Sequence, residues 1–427
     1  MNFKHRTEHG QALVLIAIGL LALITITALA IDAGNAFSDR RQAQNAADTA
    51  ALAAALEKIQ DTPSSDGDGL TWSSAGLARA SSNGYTNDIE HSTVTINNPP
   101  SANDCNPNDT PSPYVNIVDK NDYIQVIINS IVDTYFGPII GINQTHSCVE
   151  AIARAKPEYT APLFGGNAVV ALATSGCALT MQGNTDITIN INGIFSNADV
   201  CNSSGSIDLT SPYLQLVGVP SFNPNSDIYT NITSGVSPYT FDDIIWPSVS
   251  CAGDAGYVDF PDGDPKTVEL TPGTVSGDFP PNLGVGIKVV SLQSGIYCIS
   301  GNIDLNGDIK GNNVLLYAPD GSFSSNGNAE NELTAMTSGN YAGLLIYAPL
   351  ANQSNFTMNG GSDSSYFGTI LAPGANCTIN GNSGTFALSS QVICNTITFS
   401  GSGVINITYN DAQNFDVSHP PSIEITK

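Results

Sequence analysis

Ala12 to Ile31 is an apolar run of twenty residues, interrupted only by Gly19, Thr25 and Thr27. As a helix rising ~1.5 Å per residue, such a run spans roughly 30 Å, the thickness of a bilayer's hydrocarbon core. A signal-peptide core is usually about 7–15 residues long and precedes a small-x-small cleavage site. The run is too long for that, so residues 11–31 are read as a retained transmembrane helix; cleavage at the Ala28-x-Ala30 pattern is the alternative. Lys4 and Arg6 precede the run, which predicts a cytoplasmic stub over residues 1–10 and an exported remainder.

The next stretch, residues 32–60, is rich in helix formers and free of proline. Ala36, Ala43, Ala47, Ala50 and Ala54 recur at helical spacing and form a narrow stripe of small side chains. One helix from the membrane to about Gln60 is expected, with a kink at Gly34. Small residues permit close helix approach. Two readings of the stripe stay open: a stalk packing against other subunits, or a face covering the chain's own globular part.

Residues 61–69, DTPSSDGDG, are a linker by composition. A small α+β domain is expected over 61–160: a helix in TWSSAGLARASSNGY, strands in HSTVTIN, DYIQVIINSIV and HSCVEAIARAK, and a short helix in DTYFGPIIG.

From Ala161 to about residue 410 the character changes, with short apolar runs alternating with Asn-Gly and Ser-Gly turns. FTMNGG from Phe356, CTINGN from Cys377 and ITFSGS from Ile397 are in-register repeats; LTMQGN from Leu179, IDLNGD from Ile303 and FSSNGN from Phe323 resemble them. A second track reads LLYAP to Pro319, LIYAP to Pro349 and TILAP to Pro373. Two tracks sharing a period of about 20 to 30 residues mean one coil of chain per repeat. A single coil cannot bury its own apolar face, so coils stack. The fold class expected is mainly β, a right-handed parallel β-helix following the transmembrane and stalk helix and the α+β unit; a β-sandwich is the alternative. Residues 211–285 break the rhythm and are read as an irregular lateral insertion, and 411–427 as a C-terminal tail.

The eight cysteines, Cys105, Cys148, Cys177, Cys201, Cys251, Cys298, Cys377 and Cys394, all follow the apolar run, where an oxidising compartment favours disulfides. None forms a C-x-x-C pair, and His is too rare to complete a zinc site. Neighbour pairing, 105–148, 177–201, 251–298 and 377–394, is the expectation among about 105 connectivities. The formal net charge is −25, and the chain after residue 41 holds 9 basic against 35 acidic groups. That surface repels nucleic acid and anionic headgroups, and suits solubility outside the cell.

The set Gly10-Gln11 before the apolar run, Asp32-x-Gly34 at its end, Arg40-Arg41 and Gln44-Asn45-Ala46-Ala47-Asp48 resembles the N-terminus of TadE/TadG-like proteins of the tight-adherence (Tad) pilus system. With DYIQVIINSIV, TYFGPIIG and VEAIARA, the resemblance covers residues 9–155. It implies a membrane-anchored, exported protein of pilus assembly: a minor pilin, a pseudopilin or an assembly factor. Asp32 and Gly34 are its matched positions at the membrane exit, where chemistry alone asks only for a polar stop and a turn. Prepilin cleavage after Gly10 would place Leu15 where the processing pattern has Glu, so an uncleaved anchor is expected. Expected partners are the membrane through residues 11–31 and Tad components or further copies through the stalk.

Catalysis is not expected. Residues 161–410 contain no Arg and no His, and only Lys266, Lys288 and Lys310, which leaves polysaccharide lyase chemistry without cationic partners. Asp304 and Asp308 are a conceivable hydrolase pair, but Asp in such turns bonds its own backbone. Ser175 in LATSGC has no base in the domain. Asp320, Ser322 and Ser324 repeat the order of a von Willebrand A-type metal site within a repeat track, and no metal or cofactor is expected. A second functional class is a glycan- or matrix-binding adhesin using Tyr317, Tyr347 and Tyr366; against it, those rings could pack between coils.

Overall fold

The structure, a computed structural model, describes residues 9–60, 71–101, 105, 114, 117, 119–241, 244–260, 266–282, 287–360, 364–381 and 384–426. The linker DTPSSDGDG, most of the stub and most of the Pro-rich loop 99–113 lie outside the described residues. The chain divides into two compact units, residues 1–159 with 420–427, and residues 160–419.

In the first unit, α1 (His9–Gln60) is one unbroken helix of 52 residues that passes through Gly34 without interruption. It is long and apolar enough to cross a membrane. Thr25 and Thr27 donate their hydroxyls to the carbonyls of Leu21 and Leu23, both at 2.8 Å, which satisfies their polar groups inside the apolar run. The helices, strands and short helix expected after the linker are present: α2 (Thr71–Ser82), β1 (Ser92–Asn97), β2 (Tyr123–Asp133), a 3-10 turn at Gly137–Ile140 and β3 (Gln144–Lys156). These strands form an antiparallel sheet in that order, to which the chain's last strand, Ser422–Ile425, adds beside β3. Of the stretch read from sequence as a tail, residues 411–427, the strand Ser422–Ile425 returns to complete the first unit's sheet, while residues 411–419 belong to the second unit, which is an insertion between β3 and that strand.

In the core of this unit, Ala43, Ala46, Ala47, Ala50, Ala51, Ala54 and Ala55 are fully buried against Ile124, Val126, Ile128, Val149, Ala151 and Ala153 of β2 and β3. α2 crosses the same face at Gly76, where a Cβ would lie 3.2 Å from the Ala54 methyl and 3.3 Å from the Ala50 carbonyl. The stripe is thus a close-approach surface within the chain. This corrects the stalk reading: Ala43, Ala47, Ala50 and Ala54 are already covered by the chain's own sheet and second helix, and Ala36 is half-buried.

The second unit is a parallel β-helix. The repeats seen in sequence stack in register: Ile303 on Phe323, Phe323 on Phe356, Phe356 on Cys377, Cys377 on Ile397, and Ile397 on Leu179. LTMQGN, first in the chain, is therefore last in this stack. Val392–Gly401 pairs with Val169–Ala171 and Cys177–Gln182, and Val404–Thr408 with Asp186–Asn190, so the last coil packs on the first. From that junction the chain winds outward through Ile194–Ser196 and Asp208–Leu216 to Asp227–Ser234 at one end. It re-enters the stack at the other end with Lys266–Leu270 and winds back.

Residues 211–285 are consequently not one lateral insertion. Asp208–Leu216, Pro220–Ser221 and Asp227–Ser234 are coil strands in parallel pairs, and Lys266–Leu270 and Gly273–Val275 begin the returning coils. Pro212 falls at a register shift between Thr210 and Tyr213, which is why the rhythm is hard to read there. The described residues between Gly235 and Gly256 form no strand and link the two ends of the stack.

Inside the coils, Phe323 and Phe356 stack at 5.6 Å between ring centroids. Asn380 donates to the Asn359 side chain at 2.7 Å, and Ser400 donates to Asn380, forming a polar ladder beside the apolar one. At the following corner Gly381, Gly401, Gly183 and Gly205 make a column. A Cβ on Gly401, at φ +111°, would lie 2.0 Å from the Gly381 carbonyl oxygen, and one on Gly183 would lie 2.3 Å from that of Gly401. All eight cysteines are bonded in the neighbour pairing expected from sequence.

Gly401→Ala is expected to destabilise the second unit by about 2 kcal/mol or more, from backbone strain plus collision with the adjacent coil. Urea unfolding followed by near-ultraviolet circular dichroism measures this; an unchanged midpoint would contradict the column. Ala47→Leu is expected to destabilise the first unit by about 1–3 kcal/mol through overpacking. Hydrogen exchange at the β2 and β3 amides reads that loss.

Candidate functional site

Along α1, Asp32 and Asp39 are seven residues apart and so share a face, in line with Ala43, Ala46, Ala50 and the rest of the buried stripe. Both carboxylates fasten the helix to the sheet. Asp32 accepts backbone N–H bonds from the β2–β3 connection: Tyr135 at 2.8 Å, Phe136 at 3.0 Å and Gly137 at 2.8 Å. These are the otherwise unpaired amides opening the 3-10 turn, and a carboxylate is a strong acceptor for them. Gly137 is required there, since a Cβ would lie 2.3 Å from the Ile142 carbonyl and 2.5 Å from the Thr134 hydroxyl.

Asp39 accepts three hydroxyls, from Tyr85, Ser130 and Ser147, each at 3.0 Å. Burial, reinforced by this carboxylate, raises the Tyr85 phenol well above its ordinary pKa, so it stays a donor throughout the physiological range. One turn on, Gln44 donates to the Glu150 carbonyl of β3 at 3.0 Å and to Asp48 at 2.9 Å. The apolar run thereby leads directly into a helix fixed to a sheet at three successive levels.

Sequence reading singled out Asp32 and Gly34. Asp32 belongs to this latch, and its role is more than a polar stop. Gly34 does not belong to it: it is exposed, and a Cβ there would meet nothing within 4 Å. Asp39 was missed. Its signal was present, because it falls on the stripe between Ala36 and Ala43, where a charge on an otherwise small-residue face demands a partner.

Several of the residues weighed for other chemistry make coil-to-coil contacts. Asp304 accepts the Ser324 hydroxyl at 2.6 Å, and Asp308 accepts the Glu330 amide at 2.9 Å. Ser322 bonds Asn302 of the preceding coil at 2.8 Å, and Lys310 lies between Glu330 at 2.9 Å and Glu332 at 3.2 Å. Among the described residues, no group of three or more His, Cys, Asp or Glu is placed to hold a metal ion.

Of the three tyrosines considered for glycan binding, Tyr347 and Tyr366 are buried and Tyr317 is partly buried. Tyr366 is 1% exposed inside the coils. Tyr317 and Tyr347 stack at 5.5 Å, and burial pushes the Tyr347 phenol up to about 12. Both belong to an outer apolar layer with Val170, Phe195, Leu371 and Ile393, against which Val236, Tyr239, Phe241, Ile244, Trp246 and Val249 of the end-to-end link pack. The link is fastened by Tyr239 bonding Asn197 at 2.8 Å, by Tyr341 donating to the Ser248 carbonyl at 2.6 Å, and by Cys251–Cys298.

Residues 10–57 match the family model described as putative Flp pilus-assembly TadE/G-like. The latched helix is thus similar to the segment that this family model describes. The match begins at the apolar run and includes Asp32, Asp39, Gln44 and the alanine stripe; the resemblance read over residues 58–155 lies beyond it. No curated protein and no solved structure matches this chain.

Asp39→Ala is expected to cost about 2–4 kcal/mol, since three hydroxyls lose a charged acceptor. Gly34→Ala is expected to be neutral or stabilising by up to about 1 kcal/mol, as at any open helical site. Thermal unfolding of the detergent-solubilised chain measures both. A destabilised Gly34→Ala variant would mean that the glycine is packed after all.

Proposed function

We propose that the protein is a non-enzymatic, membrane-anchored structural component of the Tad pilus system, acting as a minor pilin-like or assembly protein with its β-helix outside the cytoplasm. The observation that carries this reading is the continuity of α1. The segment that matches the pilus-assembly family is both the apolar run and the helix bolted into the first unit's core, so a membrane segment and a folded domain share one rigid element. Four disulfides support an oxidising compartment for everything after the run. Lys4 and Arg6 support a cytoplasmic N-terminus.

The burial of Tyr347 and Tyr366 supports the structural reading over a glycan-reading adhesin; Tyr317 is partly covered. The stalk reading is also narrower than sequence implied. Any contact made through α1, with another copy or with pilus components, would use faces other than the buried stripe.

Deleting the gene from its native host is expected to reduce or abolish surface pili, counted by electron microscopy, with rescue by the wild-type copy. Protease added to spheroplasts is expected to digest residues 160–419 while an N-terminal tag stays protected. Undiminished piliation would remove the pilus role, and digestion of the tag alone would reverse the orientation.

A further inference from the structure

The tip of the β2–β3 hairpin, residues 134–143, reads TYFGPIIGIN and contains no charged residue. Tyr135 is 73% exposed, Ile139 83% and Ile140 70%, while Phe136 and Ile142 are exposed as well. Hairpin tips ordinarily carry polar and turn-forming residues, so a contiguous apolar tip calls for an apolar surrounding. Nor is this tip slack. Thr134 donates to the Ile142 carbonyl at 2.6 Å, Ile142 N–H to Gly137 at 3.0 Å, and Thr134 N–H to Asn143 at 3.0 Å. The apolar side chains are held outward by a closed loop.

Its position decides what it faces. The amides of Tyr135, Phe136 and Gly137 are bonded to Asp32, the residue immediately after the apolar run ends at Ile31. The latch therefore sets the tip at the level where the helix leaves the hydrocarbon. Aromatic and aliphatic side chains at that level lie in the membrane interface, with a Tyr ring among the headgroups and Ile in the upper acyl region.

We infer that the 134–143 tip is a second membrane contact, inserted into the outer leaflet's interface beside the transmembrane helix and positioned there by Asp32. Two points of contact fix the rotation and tilt of the first unit on the bilayer, which a single helix does not. The tip's lack of charge matches insertion by apolar burial rather than by attraction to anionic headgroups. The inference rests on the anchor reading given above.

The test uses the full chain in phosphatidylcholine vesicles carrying bromine either high on the acyl chains or near their ends. Ile139→Trp and, as a control within the span, Leu21→Trp are each compared with the unmodified chain, which contributes its own two tryptophans as background. The added signal of Ile139→Trp is expected to be quenched about twofold more by the high bromines than by the deep ones, and to resist aqueous iodide. Leu21→Trp should show the opposite depth order. Adding Asp32→Ala to Ile139→Trp should expose the indole to iodide; Tyr135→Trp repeats the measurement if Ile139→Trp fails to fold. Quenching of Ile139→Trp by iodide alone, with Leu21→Trp quenched deeply, would overturn the tip contact and leave the anchor standing. Quenching by neither agent would mean that protein, such as a second copy, covers the tip, and would overturn it too. A Leu21→Trp signal indifferent to bromine would remove the anchor itself.

Discussion

A β-helical coil has no interior until another coil lies on it, and the larger unit is organised by that constraint. Each coil contributes a few inward side chains, such as Phe323, Phe356 and Ile379, that are buried only by their counterparts above and below. The chain enters the stack away from its ends, so its first coil needs a neighbour on both sides. The last coil, around Val392–Thr408, supplies the missing side. Once the first and last coils are adjacent, the outward-winding segment must be carried back to the opposite end. The link between Gly235 and Gly256, whose described residues form no strand, does this. It also covers the outer apolar layer that would otherwise be exposed, which makes it part of the core rather than a tether.

The smaller unit depends on a related demand, that backbones approach closely. Alanines on α1 and Gly76 on α2 leave little side chain between the helices and the sheet. Such a surface has little shape with which to define register. The register comes from polar bonds placed at intervals along the same face: Asp32 to the 135–137 amides, Asp39 to three hydroxyls, and Gln44 to β3. Small residues permit contact, while the carboxylates fix where along the helix it occurs.

These two designs bear differently on function. The helix that matches the pilus-assembly family is committed over its C-terminal half to its own domain, leaving the apolar run and the hairpin tip as exposed apolar surfaces. The β-helix spends its Asp, Ser, Asn and Lys side chains on ladders between coils, as in Asp304 with Ser324 and Lys310 with Glu330 and Glu332. These contacts form polar seams along the stack.

Much was legible in the sequence because it is periodic or local. The length of the apolar run, the repeats at Phe356, Cys377 and Ile397, and the strands of the small domain follow from spacing along the chain, and spacing survives folding. What required the tertiary structure is what depends on which distant segments meet. An alanine stripe presents the same pattern whether it faces another copy or its own sheet. LTMQGN reads as an early repeat, yet stacks after the last one, because parallel pairing is indifferent to chain order. The link's role was equally hidden, although a trace existed: runs such as AVVALA and LLIYAP are apolar on successive residues, a pattern of strands buried on both faces. Asp32 and Asp39 were visible as charges, but their partners lie 46 to 108 residues away, beyond the reach of any local rule.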